Sequence, residues 1–332
     1  MMESSKPIPT AFTRLIGCKY PIIAGPMFLV STESLVASVS NAGGVGGAPS
    51  LNWRTTEEFH TAVKNIKKST KEPFAINLIV NQANLRIDQD LEVCVKEKVP
   101  MVITSLGNPQ KVIKAVHAYG GKVFCDVIDL RYALKVQDQG CDGVIAVCAG
   151  AGGHAGPVSP LVLIPFLKSK LVVPVVAAGG VAIGRQILAL LTLGADAVQI
   201  GTRFIATQEA GVGEDYKKAV STAEPNDIVM TTRISGTPAA VINTPYIEKV
   251  GLDLNPVEKI LLKNATTKKY MKMARAYLGS RVLEKAAHTT TWKNVWSAGQ
   301  GVGLIRDVLP AKEVLGRLVS EYWEAHSELS QS

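Results

Sequence analysis

VPVVAAGGVAIGRQILALLTLGADAVQIG, residues 173–201, holds one full strand–helix–strand period. The β-branched run 173–178 ends in Ala-Ala-Gly-Gly, and the run 196–201 ends in Gln-Ile-Gly. Between them Ile183, Ile187, Leu190 and Leu191 recur at i, i+4, i+7 and i+8, which is one face of a helix. Gly194 stops that helix, as a C-terminal glycine does. Strands alternating with helices argue for a parallel sheet.

The same period extends toward the N-terminus. Strands are predicted at 20–25, 44–49, 73–80, 99–105, 122–127 and 142–147, with starts roughly 20–30 residues apart, and helix stops at Gly43, Gly120 and Gly140. Eight β–α steps favour a closed (β/α)8 TIM barrel over an open doubly wound sheet. The first turn, AGPMFLV (24–30), is also no dinucleotide fingerprint. After Phe204 the texture changes to Lys- and Ala-rich helical sequence, and a Gly-rich apolar run returns near 290. The expected organisation is an α/β barrel from 12–206 and 290–327, ending in an amphipathic helix from Ala311 to Ser327. A small, mainly helical C-terminal domain, 207–289, covers the site.

Composition narrows the class. The 332 residues are 47% hydrophobic and 19% charged, with no apolar leader in MMESSKPIPT and no uninterrupted membrane-length run. A cytoplasmic protein is expected. Its five cysteines (18, 94, 125, 141, 148) lack CxxC spacing and read as buried thiols, so neither a zinc site nor a disulfide framework is predicted. The net charge of +8 gathers between Lys259 and Lys285, where eight Lys/Arg face one acid, Glu284. That run reads as a solvated helix face, then as attraction for a phosphorylated cosubstrate. Without aromatic interleaving it does not call for nucleic acid.

Barrel active sites form on the loops after the strands, and phosphate is often held after strands seven and eight. Gly179-Gly180 and Gln199-Ile200-Gly201-Thr202 occupy those loops. Their small residues would let backbone N–H groups approach phosphate oxygens, with the Thr202 hydroxyl as a further donor. After strand six comes GAGGHAG (150–156). Gly150-x-Gly152-x-x-Ala155 matches a degenerate dinucleotide fingerprint, but residues 168–176 lack the acid that fingerprint needs. Gly152 and Gly153 read instead as letting backbone approach a flat ligand, with His154 projecting over it as the candidate catalytic residue. His60, His117, His288 and His326 form no metal spacing, and no metal is predicted. Gly25-Pro26-Met27 ends strand one, and Asn77 lies between apolar residues of strand three, where its amide needs a partner. Asp126 ends strand five and is either hydrogen-bonded structurally or turned to the site.

Taken in order, AGPM (24–27), AINL (75–78), GAGGHAG (150–156), AAGG (177–180), QIGTRF (199–204) and WSAGQ (296–300) resemble the FMN-dependent nitronate monooxygenases, formerly 2-nitropropane dioxygenases. That group includes an NADH:quinone reductase and has a flavin-dependent enoyl-ACP reductase as a relative. The resemblance spans about residues 12–310. It implies FMN at the barrel mouth, with Gly179, Gly180, Gln199, Ile200, Gly201 and Thr202 on its phosphate. It places Ala24, Gly25, Pro26, Met27 and Asn77 at the isoalloxazine ring, with Gly152 lining the site. His154 matches the family's active-site histidine.

The implied reaction is oxidation of an alkyl nitronate, or of a nitroalkane, by O2 to a carbonyl compound and nitrite. The alternative is an NAD(P)H-dependent reductase of quinones or enoyl thioesters. A homodimer is the candidate assembly; neither nucleic acid nor membrane is expected as a partner. The chain departs from many members at Val147 (Gln), at Gly150 (an acid) and at Phe124-Cys125-Asp126, where some relatives carry Lys.

Overall fold

All eight runs predicted as strands form strands of one closed parallel barrel. They are β1 (Ile22–Ala24), β2 (Val45–Pro49), β3 (Phe74–Ile79), β4 (Met101–Ser105), β5 (Lys122–Val127), β6 (Gly143–Val147), β7 (Val175–Ala178) and β8 (Ala197–Ile200). Each pairs with the next, and β1 closes on β8 in the register Ile23 to Gln199 and Ala24 to Ile200. The structure, a computed structural model, describes residues 6–81, 83–232, 238–253 and 295–331.

Helices α1 (Ala11–Ile16), α2 (Glu33–Asn41), α3 (Thr56–Ser69), α4 (Ile87–Lys96), α5 (Gln110–His117), α6 (Leu130–Asp138), α7 (Pro160–Lys168) and α8 (Gly184–Thr192) precede or follow the strands. The predicted stops hold: Gly43, Gly120, Gly140 and Gly194 have φ of 97°, 85°, 90° and 101°. In α8 the buried face is Ile187, Leu188 and Leu190, so Leu188 takes the place predicted for Leu191. The α8 helix begins at Gly184, where any Cβ would strike the backbone of Leu318 in the C-terminal helix Ala311–Gln331. Glu321 of that helix accepts the Gly184 N–H at 2.6 Å, which caps α8 from outside.

Two layers make the core. Outward-facing strand residues such as Ile76, Val102, Val123 and Val144 pack on the helices. Inward-facing ones, among them Ile23, Ala75, Met101, Ile103, Phe124, Ile145 and Val176, fill the barrel. Helix α1 plugs the N-terminal end: Phe12 is fully buried in the barrel interior, edge-on to Phe124 at 5.5 Å. The period of two along each strand fixes which residues look inward one step above this core, at the C-terminal mouth.

Beyond β8 the chain makes a single short turn, α9 (Thr202–Ile205), then α10 (Glu214–Thr222), an antiparallel ribbon of β9 (Ile228–Thr231) and β10 (Ala239–Ile242), and α11 (Pro245–Val250). The segment read as mainly helical thus includes a β-ribbon in its described part. Its remainder, with the basic run 259–285, lies outside the described residues. Segment 295–300 lies along β10, with Ile242 N–H donating to Trp296 O at 2.8 Å and a bridge from Val241 to Ser297.

Candidate active site

One step above the packed interior, the inward row of the mouth reads Gly25, Gly47, Asn77, Ser105, Asp126, Val147, Ala178 and Gln199. On one side of this rim the side chains are small. Gly25 donates its N–H to Ile200 O at 2.9 Å, and the Gln199 side chain covers the space where a Cβ on Gly25 would sit. Gln199 Oε1 is buried among these groups with no hydrogen-bond partner. A buried amide oxygen left so is costly unless something donates to it. Met27 reaches over Gly201, its Sδ 3.6 Å from where a Cβ would be.

The opposite side of the rim is polar. Asn77 Nδ2 donates to Ser105 Oγ at 2.7 Å and to Ile103 O at 3.3 Å. Ser105 in turn donates to Asp126 Oδ2 at 2.5 Å. The open choice for Asp126 resolves to both roles: it is hydrogen-bonded by a neighbour and stands in the row that faces the mouth. Its other oxygen, Oδ1, is buried without a partner. Burial pushes its pKa up to about 6, against a smaller opposing effect from the Ser105 hydrogen bond.

The loop after β6 is pinned along its length. Ala149 N–H donates to Val158 O (2.8 Å), Gln300 N–H to Gly150 O (3.0 Å), and Gly153 and Ala240 exchange two backbone hydrogen bonds (3.0 and 2.7 Å). Gly153 takes φ of +68°, with open space where a Cβ would point. Gly152 is different: a Cβ there would lie 2.8 Å from the Ala298 carbonyl carbon and 2.9 Å from Gly299 N. Its missing side chain is filled by protein backbone. His154 follows, exposed on one side, while the protein packed on its other side lowers its pKa below the ordinary 6.5. At neutral pH the imidazole is therefore neutral.

The loops after β7 and β8 meet this one. Gly179 has φ of +126° and packs on Cys148 and Ala151. Gly180, at φ of +74°, has nothing within 4 Å of an added Cβ. Its carbonyl accepts from Gln186 Nε2 at 2.9 Å, and Gln186 Oε1 accepts the Ala182 and Ile183 N–H groups. Thr202 opens a one-turn helix, so its N–H has no intrahelical acceptor. Its hydroxyl oxygen accepts the Gly299 N–H at 2.9 Å.

The structure therefore joins the Ala24–Met27 turn, the β6 loop, Gly179-Gly180 and Gln199–Thr202 through direct contacts. Asn77 stands two strands from β1 on the same rim. His60 pairs with Glu97 and His117 with Asp142, both away from the mouth, and His326 stacks on Tyr322. Cys148, next to the site, is buried, and its thiol is pushed up to about 12. Sequence reading missed Ser105, although the alternation from Met101 and Ile103 points it inward. It also missed that Gly299 is the wedge between two site loops.

Comparison with known proteins gives the family. The sequence profile of the family described as nitronate monooxygenase matches residues 10–90 and 84–321. The chain is 29% identical to a nitronate monooxygenase of Pseudomonas aeruginosa, over 93% of this chain and 98% of the relative. It is 28% identical to a (3aS,4S,5R,7aS)-5-hydroxy-7a-methyl-1-oxo-octahydro-1H-indene-4-carboxyl-CoA dehydrogenase of Rhodococcus jostii, over 94% and 95% of the two chains. Among solved structures, FabK from Thermotoga maritima superposes with a TM-score of 0.82 at 32% identity, covering 98% of this chain and 99% of that one. With a profile match over nearly the whole chain and an eight-stranded barrel to carry it, the protein is an oxidoreductase belonging to the nitronate monooxygenase family.

Proposed function

We propose that the protein binds FMN at the barrel mouth and oxidises alkyl nitronates with O2 to a carbonyl compound and nitrite. The observation that carries this reading is the position of His154, a neutral imidazole on the loop that overlooks the contiguous small-residue rim. The residues fit the cofactor. Gly180 leaves a cradle that a Cβ would fill, Thr202 offers an N–H at a helix start, and the orphaned Gln199 Oε1 can accept a ring N–H. The backbone of Gly179, Gly180, Gln199, Ile200, Gly201 and Thr202 holds the phosphate side, and Ala24, Gly25, Pro26, Met27 and Asn77, with the Gln199 side chain, the ring side. Gly152 and Gly153 set the height of the loop above them.

Bound FMN supplies the electron transfer between substrate and O2. The protein orients the substrate's nitro group or nitronate, and neutral His154 hydrogen-bonds it or removes a proton from the α-carbon of a nitroalkane. Because its pKa is lowered, the acid limb of kcat/KM on nitroalkanes is expected below pH 6.5. His154→Ala should lose most turnover, a fall of about 10²–10⁴-fold, and keep its flavin. Wild-type kcat/KM in that variant would remove His154 from the mechanism.

A second reading is favoured by the relative named as a carboxyl-CoA dehydrogenase: hydride exchange through the flavin between NAD(P)H and a thioester or quinone. Anaerobic mixing separates the two. Bleaching of the flavin by propyl nitronate alone supports the first, and rapid bleaching by NADH or NADPH supports the second.

A further inference from the structure

Asp126 is the one ionisable side chain in the inward row of the mouth among the described residues. Its surroundings are unusual for a carboxyl. The Asn77 amide donates to Ser105 Oγ, so the single Ser105 proton goes to Asp126 Oδ2, and the relay has a fixed direction that ends on the carboxyl. Oδ1 is shut off from solvent with no partner. Among the described residues no lysine or arginine forms an ion pair with it.

Among the described residues, the groups that face it from neighbouring elements are few. On β4 it meets Ser105, and β6 presents Val147 in the same row. Tyr132 of α6 lies within electrostatic reach, its hydroxyl donating to Gly107 O, and burial raises its pKa. Cys125, on the strand's outer side, accepts from Thr104, and its pairing with Cys141, then burial, raises its pKa. On the loop after β6 the ionisable groups are Cys148, whose thiol burial pushes up to about 12, and His154, whose pKa burial lowers. Nothing among these can offset a negative charge by ionising at neutral pH.

A second negative charge placed in this mouth, unless it takes up a proton itself, has two options. It stays and repels the carboxylate, or the carboxylate takes up a proton. We propose that Asp126 is a positioning group that couples a proton to flavin reduction, so that two electrons entering the mouth bring two protons rather than one. Oxidised FMN with two electrons and one proton becomes the anionic reduced ring, and the Asp126 carboxylate with the second proton becomes the neutral acid. Both protons come from solvent, and the electrons come from dithionite in the test or from the substrate in turnover. This inference rests on FMN as the ligand of the mouth. A lysine at this strand end would stabilise the reduced anion by its charge, whereas here the same region balances charge by protonation.

The test is a spectroelectrochemical titration of the flavin-loaded protein across pH 5–9, for the wild type, Asp126→Asn and Ser105→Ala. For a two-electron couple each tenfold change is about 30 mV, so each proton taken up adds about 30 mV per pH unit. The wild type should show about 60 mV per unit over the range in which Asp126 is ionised before reduction and neutral after it. Asp126→Asn should show about 30 mV per unit throughout; it carries the same ring, so a second proton belonging to the ring itself would persist in it. Ser105→Ala removes the donor that favours the carboxylate, and the onset of the steeper slope should move to higher pH. Equal slopes in wild type and Asp126→Asn overturn the inference. If the Asn variant does not hold flavin, an unmoved onset in Ser105→Ala overturns it. A wild type that takes up no FMN overturns the flavin reading and this inference with it.

Discussion

A carboxyl at the end of β5 with one serine donor and no ion-pair partner among the described residues is a local liability in the flavin-free protein. Its folded pKa of about 6 exceeds the ordinary 3.8, so the folded state binds the proton more tightly than the unfolded chain. The favourable contribution is complete below the unfolded value and is lost as pH rises through 6. Between pH 4 and 7.5 ionisation of Asp126 therefore costs the flavin-free protein about 2–3 kcal/mol, at 1.36 kcal/mol per pKa unit. Asp126→Asn keeps an acceptor for Ser105 and removes the charge. Urea melts should find the variant more stable than wild type at pH 7.5, with the gap closing near pH 4. A gap that does not change with pH would mean the carboxyl is solvated in the folded protein. The alternation of β5 already turns Asp126 the same way as Phe124, so its direction was legible from sequence. Its partner was not, because that depends on which residue ends the neighbouring strand.

At the scale of elements, GAGGHAG and WSAGQ, two motifs far apart in the sequence, turn out to be one device. Gly299 of WSAGQ sits where a Cβ would strike Gly150 O and come within 2.9 Å of Gly152 N, while its own N–H is taken by Thr202. The loop after β6, the start of α9 and the returning segment thus lock together, and β10 clamps the same loop at Gly153. Two alanine substitutions separate backbone freedom from close approach. Gly153→Ala places a side chain in open space at φ of +68°, and should cost about 1–2 kcal/mol for the left-handed conformation with activity largely retained. Gly299→Ala must push two backbones apart. It should displace His154, cost more stability than Gly153→Ala in thermal melts, and cut turnover more than tenfold. Comparable losses in the two would show that the interlock does not position the loop. The glycine-rich sequence announced a close approach; it could not say that part of the approach is protein on protein, because the partner backbone lies about 150 residues downstream.

For the whole molecule, the barrel's two ends are built for different ends. Eight periodic β–α steps made the closed sheet legible, since each strand and helix follows from local alternation. Non-local closures were less so: the plug by α1 and the seam between α8 and the C-terminal helix come from packing across the fold. Phe12 illustrates this, because sequence shows only an apolar residue near the N-terminus, while the structure buries it completely against Phe124 inside the barrel. The interior at that end is tightly filled by Ile23, Met101, Ile103 and Ile145, and the site lies one layer above, at the other end. Phe12→Ala leaves a void that such rigid walls cannot collapse, so it should cost about 3–5 kcal/mol and lower the urea midpoint accordingly. In native buffer the same variant should bind FMN with unchanged affinity and keep the flavin spectrum of the wild type, because the plug fills the end of the barrel opposite the mouth. Loss of flavin from folded Phe12→Ala protein would show instead that the barrel transmits strain along its axis, and that the mouth depends on the packing below it.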